Sequence, residues 1–318
     1  MGRALIIGHT GQDGRILWSQ LEDDGFVLTG VSSRETRQSS GAVGGPVDLS
    51  SLTAVLGLLE ACQPAQIYFL PARHHSSGEA MADAGREVLE SWQLHVNAFR
   101  VVLDAAAVVC PEAGIFYASS SRIFGRSGGA LFSEDSVRRP ECIYGITKAA
   151  GMLVAGEYRL AKRMRVSCGI LFNHESPLRR PEFVSQRIVR GVVSIKRGEL
   201  RTLSFGDIEA QVDWGYAPDY TRAMRKMLDA DEPSEFVVAT GRTHRVSDFL
   251  RIAAERVDLD WRSIAREDGA LLKRASQGLA GDATKLRRTT GWEPSIDFEA
   301  MVRLLVDAEL ARVSTGGS

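Results

Sequence analysis

Residues 3–14 read RALIIGHTGQDG, and this stretch decides the fold that the sequence predicts. The apolar run at 3–8 is rich in branched side chains, as is typical of a buried parallel strand. Glycines follow at three-residue intervals, and a helical pattern then continues to Gly25. A strand, a glycine loop and a helix in this order present free N–H groups and a positive helix end to a pyrophosphate. The residues expected to bind a dinucleotide are Gly8, Thr10, Gly11, Gln12, Asp13 and Gly14. The alternative is that the glycines serve only the turn.

Further apolar runs alternate with helical patterns along the next part of the chain. The predicted strands lie at 26–31, 66–71, 114–119 and 165–172, and the predicted helices begin near Ser50, span 86–109 and run from 143 to about 162. Because strands and helices alternate without hairpin signals, this pattern predicts a parallel sheet with helices on both faces. The fold class is therefore α/β, a Rossmann-type doubly wound parallel sheet with a smaller C-terminal substrate-binding domain.

The second half of the chain is more mixed. We place the dinucleotide-binding domain at 1–172, with some later segments returning to it, and the substrate-binding domain mainly at 173–318. The predicted elements there are a basic helical region at 179–198, a strand pair near 200–206, a helix ending near 229, a strand at 235–239 and a helix at 247–257.

Composition excludes several classes of protein. The chain has 318 residues, of which 44% are hydrophobic and 25% charged, as in ordinary globular proteins. The net charge of -1 provides no basic field for nucleic acid. The four cysteines form no CxxC pair, which argues against a zinc site or disulfides and fits a reducing cytoplasm. Since no apolar run is long enough to span a bilayer and the chain begins almost directly with a strand, we expect neither a membrane span nor a signal peptide.

The residues after the second strand bear on the choice of cofactor. An Asp or Glu at that strand end would bind the ribose hydroxyls of NAD. The sequence offers Ser32, Ser33 and Arg34 instead, and hydroxyls with an arginine suit a 2′-phosphate. We therefore expect NADP, bound by Ser33 and Arg34, with NAD as the alternative. Arg34 as a solvated loop residue is the competing interpretation.

Three more residues are predicted to lie beside the cofactor. Asp48 precedes the helix expected near Ser50, so it either touches the adenine or caps that helix. Leu49 is its neighbour, and Leu70 lies at the end of the third parallel strand. The carboxyl ends of such strands are where open α/β sheets bind ligands.

Tyr144 and Lys148 are the candidate catalytic pair. They are four residues apart in a predicted helix and therefore share a face. A nearby lysine lowers the pKa of a phenol, because an opposite charge favours the phenolate. A phenolate can take the proton of a sugar hydroxyl while a hydride leaves the same carbon. A tyrosine and a lysine at this spacing are common by chance, but Ser120, in the serine run that ends the strand at 114–119, could hold that hydroxyl.

Five stretches of the sequence resemble the GDP-mannose 4,6-dehydratase family of the extended short-chain dehydrogenases. They are GHTGQDG at 8–14, GILFNHESP at 169–177, DWGYAPDY at 213–220, ATGRTHRVSDF at 239–249 and GDATKLRRTTGWEP at 281–294. The resemblance implies a tightly held NADP, bound in part by Tyr144 and Lys148, and a nucleotide-sugar substrate that is usually GDP-mannose. It also implies homodimers or homotetramers formed through the helices at about 86–109 and 143–162, and a cytoplasmic role in deoxysugar synthesis.

The resemblance further implies a three-step reaction. Hydride leaves C4 of the hexose, water is lost across C5 and C6, and hydride returns to C6. The family pattern is a Thr at the strand end, a Glu two residues later, and the Tyr–Lys pair. Here Ser120 stands for the Thr and Arg122 stands for the Glu, while Tyr144 and Lys148 are retained. A guanidinium cannot accept the C5 proton, so we expect C4 oxidation to remain and efficient elimination to be lost.

Other residues could replace the missing carboxylate. The sequence offers His74 and His75 near one strand end, and Glu134 and Asp135 in the loop before Tyr144. The reaction could be 4,6-dehydration, C4 dehydrogenation or C4 epimerisation. The alternative to an enzyme is a non-catalytic paralogue that binds NADP and a nucleotide sugar.

The predicted substrate contacts are Ser121, Arg122, Asn173, Glu175, Arg187 and Arg274. For Arg187, for Arg190 on the same predicted helix and for Arg274, the alternative is a solvated helix cation. For Asn173 and Glu175 the alternative is a turn that caps the next segment. The family normally has an arginine just before the DWG sequence, where this chain has Val212. The loss of that charge predicts weaker binding of a diphosphate.

Overall fold

The computed structural model describes residues 2–72, 84–125, 131–269 and 278–315. The strands of this part of the chain are β1 (Arg3–Ile7), β2 (Val27–Val31), β3 (Thr36–Gln38), β4 (Val43–Gly44), β5 (Gln66–Phe69), β6 (Gly114–Ser120), β7 (Leu131–Phe132), β8 (Val166–Leu171), β9 (Asn173–Glu175), β10 (Leu203–Phe205), β11 (Gln211–Val212), β12 (Trp214–Tyr216), β13 (Glu235–Val238), β14 (His244–Arg245), β15 (Ala265–Glu267) and β16 (Ala280–Gly281).

The helices are α1 (Gln12–Asp23), α2 (Leu52–Cys62), α3 (Ala84–Trp92), α4 (Ala98–Val109), α5 (Ile143–Lys162), α6 (Val184–Lys196), α7 (Ala217–Asp229), α8 (Val246–Glu255), α9 (Trp261–Ile264), α10 (Thr284–Thr290) and α11 (Phe298–Thr315). A π-helical segment, Gln93–Asn97, joins α3 to α4, and a 3₁₀ turn, Ser121–Ile123, follows β6. None of the helices in the described ranges is long and apolar enough to cross a bilayer.

One eight-stranded sheet organises the first part of the molecule, in the order β13-β8-β6-β5-β1-β2-β3-β4. The strands from β13 to β2 pair in parallel. From β1 the chain continues to β2 on one side of the sheet. It later returns past β1 and continues with β5 on the other side. The carboxyl edge between β1 and β5 is therefore the topological switch point, where such sheets bind ligands. The predicted α/β fold class is confirmed.

The outer edge of the sheet differs from the prediction. Instead of continuing the parallel pattern, β3 and β4 run antiparallel to their neighbours. The turn between β2 and β3 has four residues, and the Ser32 hydroxyl accepts hydrogen bonds from the N–H groups of Arg34 and Glu35, both at 3.2 Å. A serine that closes a turn in this way offers the chain a tight reversal without glycine.

The long helix expected at 86–109 is interrupted rather than continuous. Its π-helical segment places the His95 carbonyl where it accepts a hydrogen bond from the Tyr117 hydroxyl of β6 at 3.0 Å. π-helical turns of this kind are frequent at functional sites.

The described residues form two hydrophobic cores. The first packs the large sheet against its helices, and the later elements α7, β13 and α10 contribute to it through residues such as Met224, Phe236 and Leu286. The second core lies among α6, α8 and α11. The sequence analysis assigned no helix to the last of these, although its buried residues Val302, Leu305 and Val306 have helical spacing. The domain boundary near residue 172 stays a prediction.

Candidate active site

Ser120 and Tyr144 meet at the carboxyl end of β6. Ser120 is the last residue of that strand and is buried. Its side chain hydrogen-bonds the Tyr144 phenol, and its Oγ accepts the N–H of Arg122 at 3.3 Å. Tyr144 is held there because α5 begins one residue earlier, where the Cys142 sulfur receives the N–H of Gly145 at 3.5 Å. The structure thus brings together the hydroxyl pair that the sequence predicted.

Lys148 lies one helical turn further along α5 and is completely buried. Its Nζ donates to the carbonyl oxygen of Ala118 at 2.7 Å and to that of Pro71 at 2.9 Å. The same Nζ is 5.8 Å from the centroid of the Tyr144 ring. Burial lowers the pKa of Lys148 to about 7, because the charged ammonium is removed from water.

The protonation of Tyr144 differs from the prediction. Burial by the surrounding protein raises its pKa to about 12, and the Ser120 hydrogen bond and the positive charge of Arg179 only partly oppose this rise. The expected net lowering of the Tyr144 pKa is therefore wrong. The physical reason is that burial of the phenol disfavours the phenolate more than the Ser120 hydrogen bond and the Arg179 charge favour it.

The glycine loop forms a cradle at the switch point. Gly8 has a φ of +93°, which non-glycine residues rarely adopt, and the N–H of Gly11 closes the loop onto the Gly8 carbonyl at 3.1 Å. A Cβ on Gly14 would lie only 2.3 Å from that same carbonyl oxygen. The N-cap of α1 is Gly11, which has no side chain to cap the helix and so leaves the first N–H groups to a ligand. This cradle fits the pyrophosphate of a dinucleotide. Thr10 lies exposed on the same loop.

The loop is also connected to β9, which the sequence analysis did not foresee. Asp13 is 3.0 Å from His174 Nε2, and the Gln12 amide donates to the His174 carbonyl at 3.2 Å and accepts from the Ser176 hydroxyl at 2.9 Å. The other ring nitrogen of His174 lies 2.7 Å from the Phe172 carbonyl oxygen. Because both nitrogens face acceptors, the ring can carry two protons.

The electrostatics of this pair agree with its geometry. Burial alone would lower the pKa of His174, but the negative charge of Asp13 and its hydrogen bond raise it. Burial likewise disfavours the Asp13 carboxylate, yet the charge of His174 and its hydrogen bond lower the pKa of that carboxyl. The two groups therefore form an ion pair between the glycine loop and β9, in which His174 is buried and Asp13 is partly buried.

Arg179 is a further site residue that sequence reasoning missed. Its guanidinium lies 3.6 Å above the Phe183 ring and 3.4 Å from the Glu175 carboxylate. Its charge lowers the pKa of Tyr144 and of Asp13. It follows the NHESP sequence by only two residues, so attention to the cations next to that motif would have found it.

The predicted cofactor residues outside the loop have different surroundings. Ser33 and Arg34 lie exposed in the β2–β3 turn. Asp48 is exposed and accepts from the N–H and hydroxyl of Ser50 at 2.9 Å and 2.6 Å. The cap of α2 is Ser51, whose hydroxyl accepts the N–H of Ala54, so the prediction that Asp48 caps the helix is wrong. Its contact with adenine stays a prediction. Leu49 and Leu70 are partly buried and pack against the first core.

The predicted substrate residues do not all face the same space. Ser121 is buried beside Ser120, and Arg122 is exposed in the 3₁₀ turn. Asn173 is exposed on β9. Glu175 is buried, and its carboxylate accepts the Ser185 hydroxyl at 2.5 Å in addition to facing Arg179. Arg187 is exposed and donates to the Ser204 carbonyl at 2.9 Å. All of these assignments stay predictions, and Arg274 lies outside the described residues.

Of the four residues proposed to replace the missing base, the structure describes two. His74 and His75 lie outside the described residues. Glu134 accepts the N–H of Val237 at 2.7 Å, and burial raises its pKa. Asp135 is exposed. Val212, at the position of the missing arginine, pairs with His244 at the antiparallel contact of β11 and β14.

Comparison with known proteins gives a consistent result. The sequence profile of the family described as GDP-mannose 4,6 dehydratase matches residues 5–305. GDP-mannose 4,6 dehydratase 1 of Arabidopsis thaliana is 30% identical over 333 residues, which cover 96% of this chain and 89% of the relative. The structure of RMD from Pseudomonas aeruginosa complexed with NADPH superimposes with a TM-score of 0.83 at 21% identity and covers 98% of this chain and 100% of that chain.

A dTDP-glucose 4,6-dehydratase from Bacillus anthracis, solved in complex with NAD, has a TM-score of 0.82 at 14% identity and covers 99% of this chain and 98% of that chain. At these identities the two structures support the fold alone. The family resemblance that the sequence motifs predicted is confirmed by the profile match.

Proposed function

Because the chain belongs to the GDP-mannose 4,6-dehydratase family, we propose that it is an NAD(P)-dependent enzyme that oxidises a nucleotide-linked hexose at C4. The single observation that carries this proposal is the convergence of Ser120, Tyr144 and Lys148 beside the glycine cradle. Ser120 contacts the Tyr144 phenol, and Lys148 lies beneath the tyrosine ring on the same helix. The names of the relatives favour a GDP-linked substrate.

We propose a role for each member of this group. A bound nicotinamide would supply the hydride acceptor. Ser120 and Tyr144 would hold the C4 hydroxyl between their oxygens, and the Tyr144 oxygen would take its proton as the C4–H bond breaks. The Lys148 ammonium would stabilise the phenolate by its charge. Arg179 would add a second positive charge on that side, since it already lowers the pKa of Tyr144.

Arg122 limits how far the family reaction can proceed. It occupies the position at which the family has the base for the C5 proton, and it offers no lone pair for that role. Asp13, whose charge raises the pKa of Tyr144, is engaged with His174. Glu175, which faces Arg179, is engaged with Ser185. We therefore propose that the reaction stops at C4 chemistry, either dehydrogenation or epimerisation, and that 4,6-elimination is slow or absent.

The test combines product analysis with substitution at Arg122. The purified chain is incubated with NAD or NADP and GDP-mannose, and the sugar is followed by mass spectrometry and NMR. The expected result for the native chain is a change at C4 without loss of water. Arg122→Glu should then increase water loss about 10²-fold or more, because a carboxylate returns as general base. Arg122→Gln, which removes the charge but adds no base, is the matched control. Fast water loss by the native chain would refute the limit at C4.

A second candidate is a non-catalytic protein that binds a dinucleotide and a nucleotide sugar. Arg122 and Val212, two departures from the family pattern, favour it. Tyr144→Phe separates the candidates. In an enzyme this change should reduce turnover about 10²–10⁴-fold, because the general base is lost, while dinucleotide binding persists. If the native chain and the variant are equally inactive on a panel of nucleotide sugars and bind them equally well, the non-catalytic candidate stands.

A further inference from the structure

The turn between β2 and β3 brings an acidic side chain back to the glycine loop. The carboxylate of Glu35 lies 3.3 Å from His9 Nε2, and His9 is the residue directly after Gly8. The His9 side chain is only 5% exposed, whereas that of Glu35 is 39% exposed. The histidine therefore connects the carboxylate to the pyrophosphate cradle and leaves part of it open to a ligand.

The local sequence explains why the carboxylate is held at this place. β3 returns antiparallel to β2, with Thr36 opposite Val31, so the turn stays at the carboxyl end of β2. The N–H of Ser32 donates to the Glu35 carbonyl at 2.9 Å, which closes the turn. The His9 ring lies directly over Gly30, where a Cβ would come within 2.5 Å of it. Glycine at that position is what allows the imidazole to reach Glu35.

Arg34 is placed less firmly than Glu35. Its backbone N–H donates a hydrogen bond to the Ser32 hydroxyl. Its side chain is exposed and makes no hydrogen bond or ion pair within the described residues. The expectation of NADP rested on Ser32, Ser33 and Arg34, none of which is acidic. The hairpin of β2 and β3 brings the acid Glu35 back to the same end of β2.

We propose that Glu35, held by His9, accepts the hydroxyls of the adenosine ribose and makes this chain select NAD(H) over NADP(H). The proposal rests on the proposed function, since it concerns the cofactor of the same site. A carboxylate about 20 residues after the glycine loop binds the ribose 2′-hydroxyl in Rossmann-type sites. The same carboxylate repels a 2′-phosphate, because both groups are negatively charged.

Equilibrium binding tests this selection without any requirement for turnover. Isothermal titration of the full chain, freed of bound nucleotide, is carried out with NAD⁺ and separately with NADP⁺. The expected result is at least tenfold tighter binding of NAD⁺. Glu35→Gln should weaken NAD⁺ about tenfold, because an amide is a poorer acceptor than a carboxylate, and it should leave NADP⁺ unchanged or tighter.

Glu60→Gln, the same substitution at an exposed glutamate near the end of α2, is the matched control and should leave NAD⁺ binding unchanged. A native chain that binds NADP⁺ more tightly than NAD⁺ would overturn the proposal, whatever the variants do. So would a Glu35→Gln variant that folds, as judged by its thermal unfolding, and keeps the native ratio of affinities. A chain that binds neither dinucleotide would instead overturn the proposed function, and the inference with it.

Discussion

Arg179 shows how a single side chain can set the chemistry of the site. Its positive charge favours the Tyr144 phenolate against the burial that raises the pKa of that phenol. It keeps this place because its guanidinium packs on Phe183 and faces Glu175.

Removal of this charge should move the pH dependence of turnover. In Arg179→Gln the pKa of Tyr144 should rise further, because the cation that lowers it is gone. If the phenolate is the base, the rising limb of kcat/KM against pH should shift to higher pH, and the rate near pH 7 should fall about tenfold or more.

Arg180→Gln is the matched control for this prediction. Arg180 is the next cation along the chain, and the 3.7 Å contact of its side chain with Glu182 involves neither Tyr144 nor Asp13. Replacement of Arg180 should leave the dependence of kcat/KM on pH unchanged. Equal shifts in both variants would show that the effect is general surface charge rather than the position of Arg179.

The Asp13–His174 pair makes a prediction about stability. His174 has a raised pKa in the folded chain, so its contribution is fully present below the unfolded value of about 6.5 and is lost as pH rises through the folded value. Asp13 has a lowered pKa, so its contribution is present above about 3.9 and is lost as pH falls through its folded value. The pair should therefore stabilise the fold most between these limits.

His174→Gln should accordingly reduce the free energy of unfolding by about 3 kcal/mol near pH 6, since one partner of a largely buried ion pair is removed. The loss should be smaller at pH 9, as measured by urea unfolding at both values. His244→Gln is a useful contrast, because burial lowers the pKa of His244 and the pH dependence should have the opposite sign. A His174→Gln effect that does not change with pH would contradict the ion pair.

At the scale of elements, the contact between α5 and β6 determines where the catalytic helix lies. A Cβ on Gly151 would come within 2.1 Å of the Tyr117 hydroxyl and 2.9 Å of the His95 carbonyl. Glycine at this position therefore allows α5 to approach both the central strand and the π-helical segment. The same segment places the His95 ring edge-on to Tyr144, with centroids 5.5 Å apart, and its Nδ1 at 2.8 Å from the Thr147 hydroxyl.

Gly151→Ala should therefore destabilise the fold by about 1–3 kcal/mol, because overpacking forces the helix away from β6. It should also reduce turnover, since Tyr144 moves with the helix. Gly156→Ala is the matched control on the same helix, where the nearest atom to a new Cβ is 3.7 Å away. That change should be neutral or stabilise by about 0.5–1 kcal/mol. Thermal unfolding and kcat of the two variants check the prediction, and equal effects would refute it.

At the scale of the whole molecule, the outer face of α5 is unusually apolar. Ile146, Leu153 and Leu160 are seven residues apart and so lie along one side of the helix, and the last two are 68% and 86% exposed. Leu89 of α3 is 72% exposed as well. An apolar stripe of this kind on a protein surface marks a protein–protein contact. It agrees with the expectation of homodimers or homotetramers, which stays a prediction.

The double substitution Leu153→Arg with Leu160→Arg should therefore convert the native oligomer to a monomer, because two charges would have to be buried in the interface. The fold itself should remain stable, since both side chains are exposed in the single chain. Light scattering after gel filtration measures the change. Leu200→Arg, at a half-exposed leucine outside this helix, should leave the assembly intact. A native chain that is already monomeric would contradict the interface.

The sequence by itself determined the main sheet, the glycine cradle and the Tyr144–Lys148 pair. Each of these depends on local pattern: apolar runs of strand length, glycines at fixed spacing, and two side chains one helical turn apart. The family motifs at 169–177 and 213–220 added the class of enzyme, because their residue order is specific.

Only the tertiary structure decided how distant residues act on one another. Asp13 and His174 are far apart in the chain, and they meet because β9 returns to the glycine loop. Glu35 reaches His9 because β3 turns back on β2. The protonation of Tyr144 and Lys148 likewise depends on burial, which arises from the packing of the whole domain rather than from spacing along a helix.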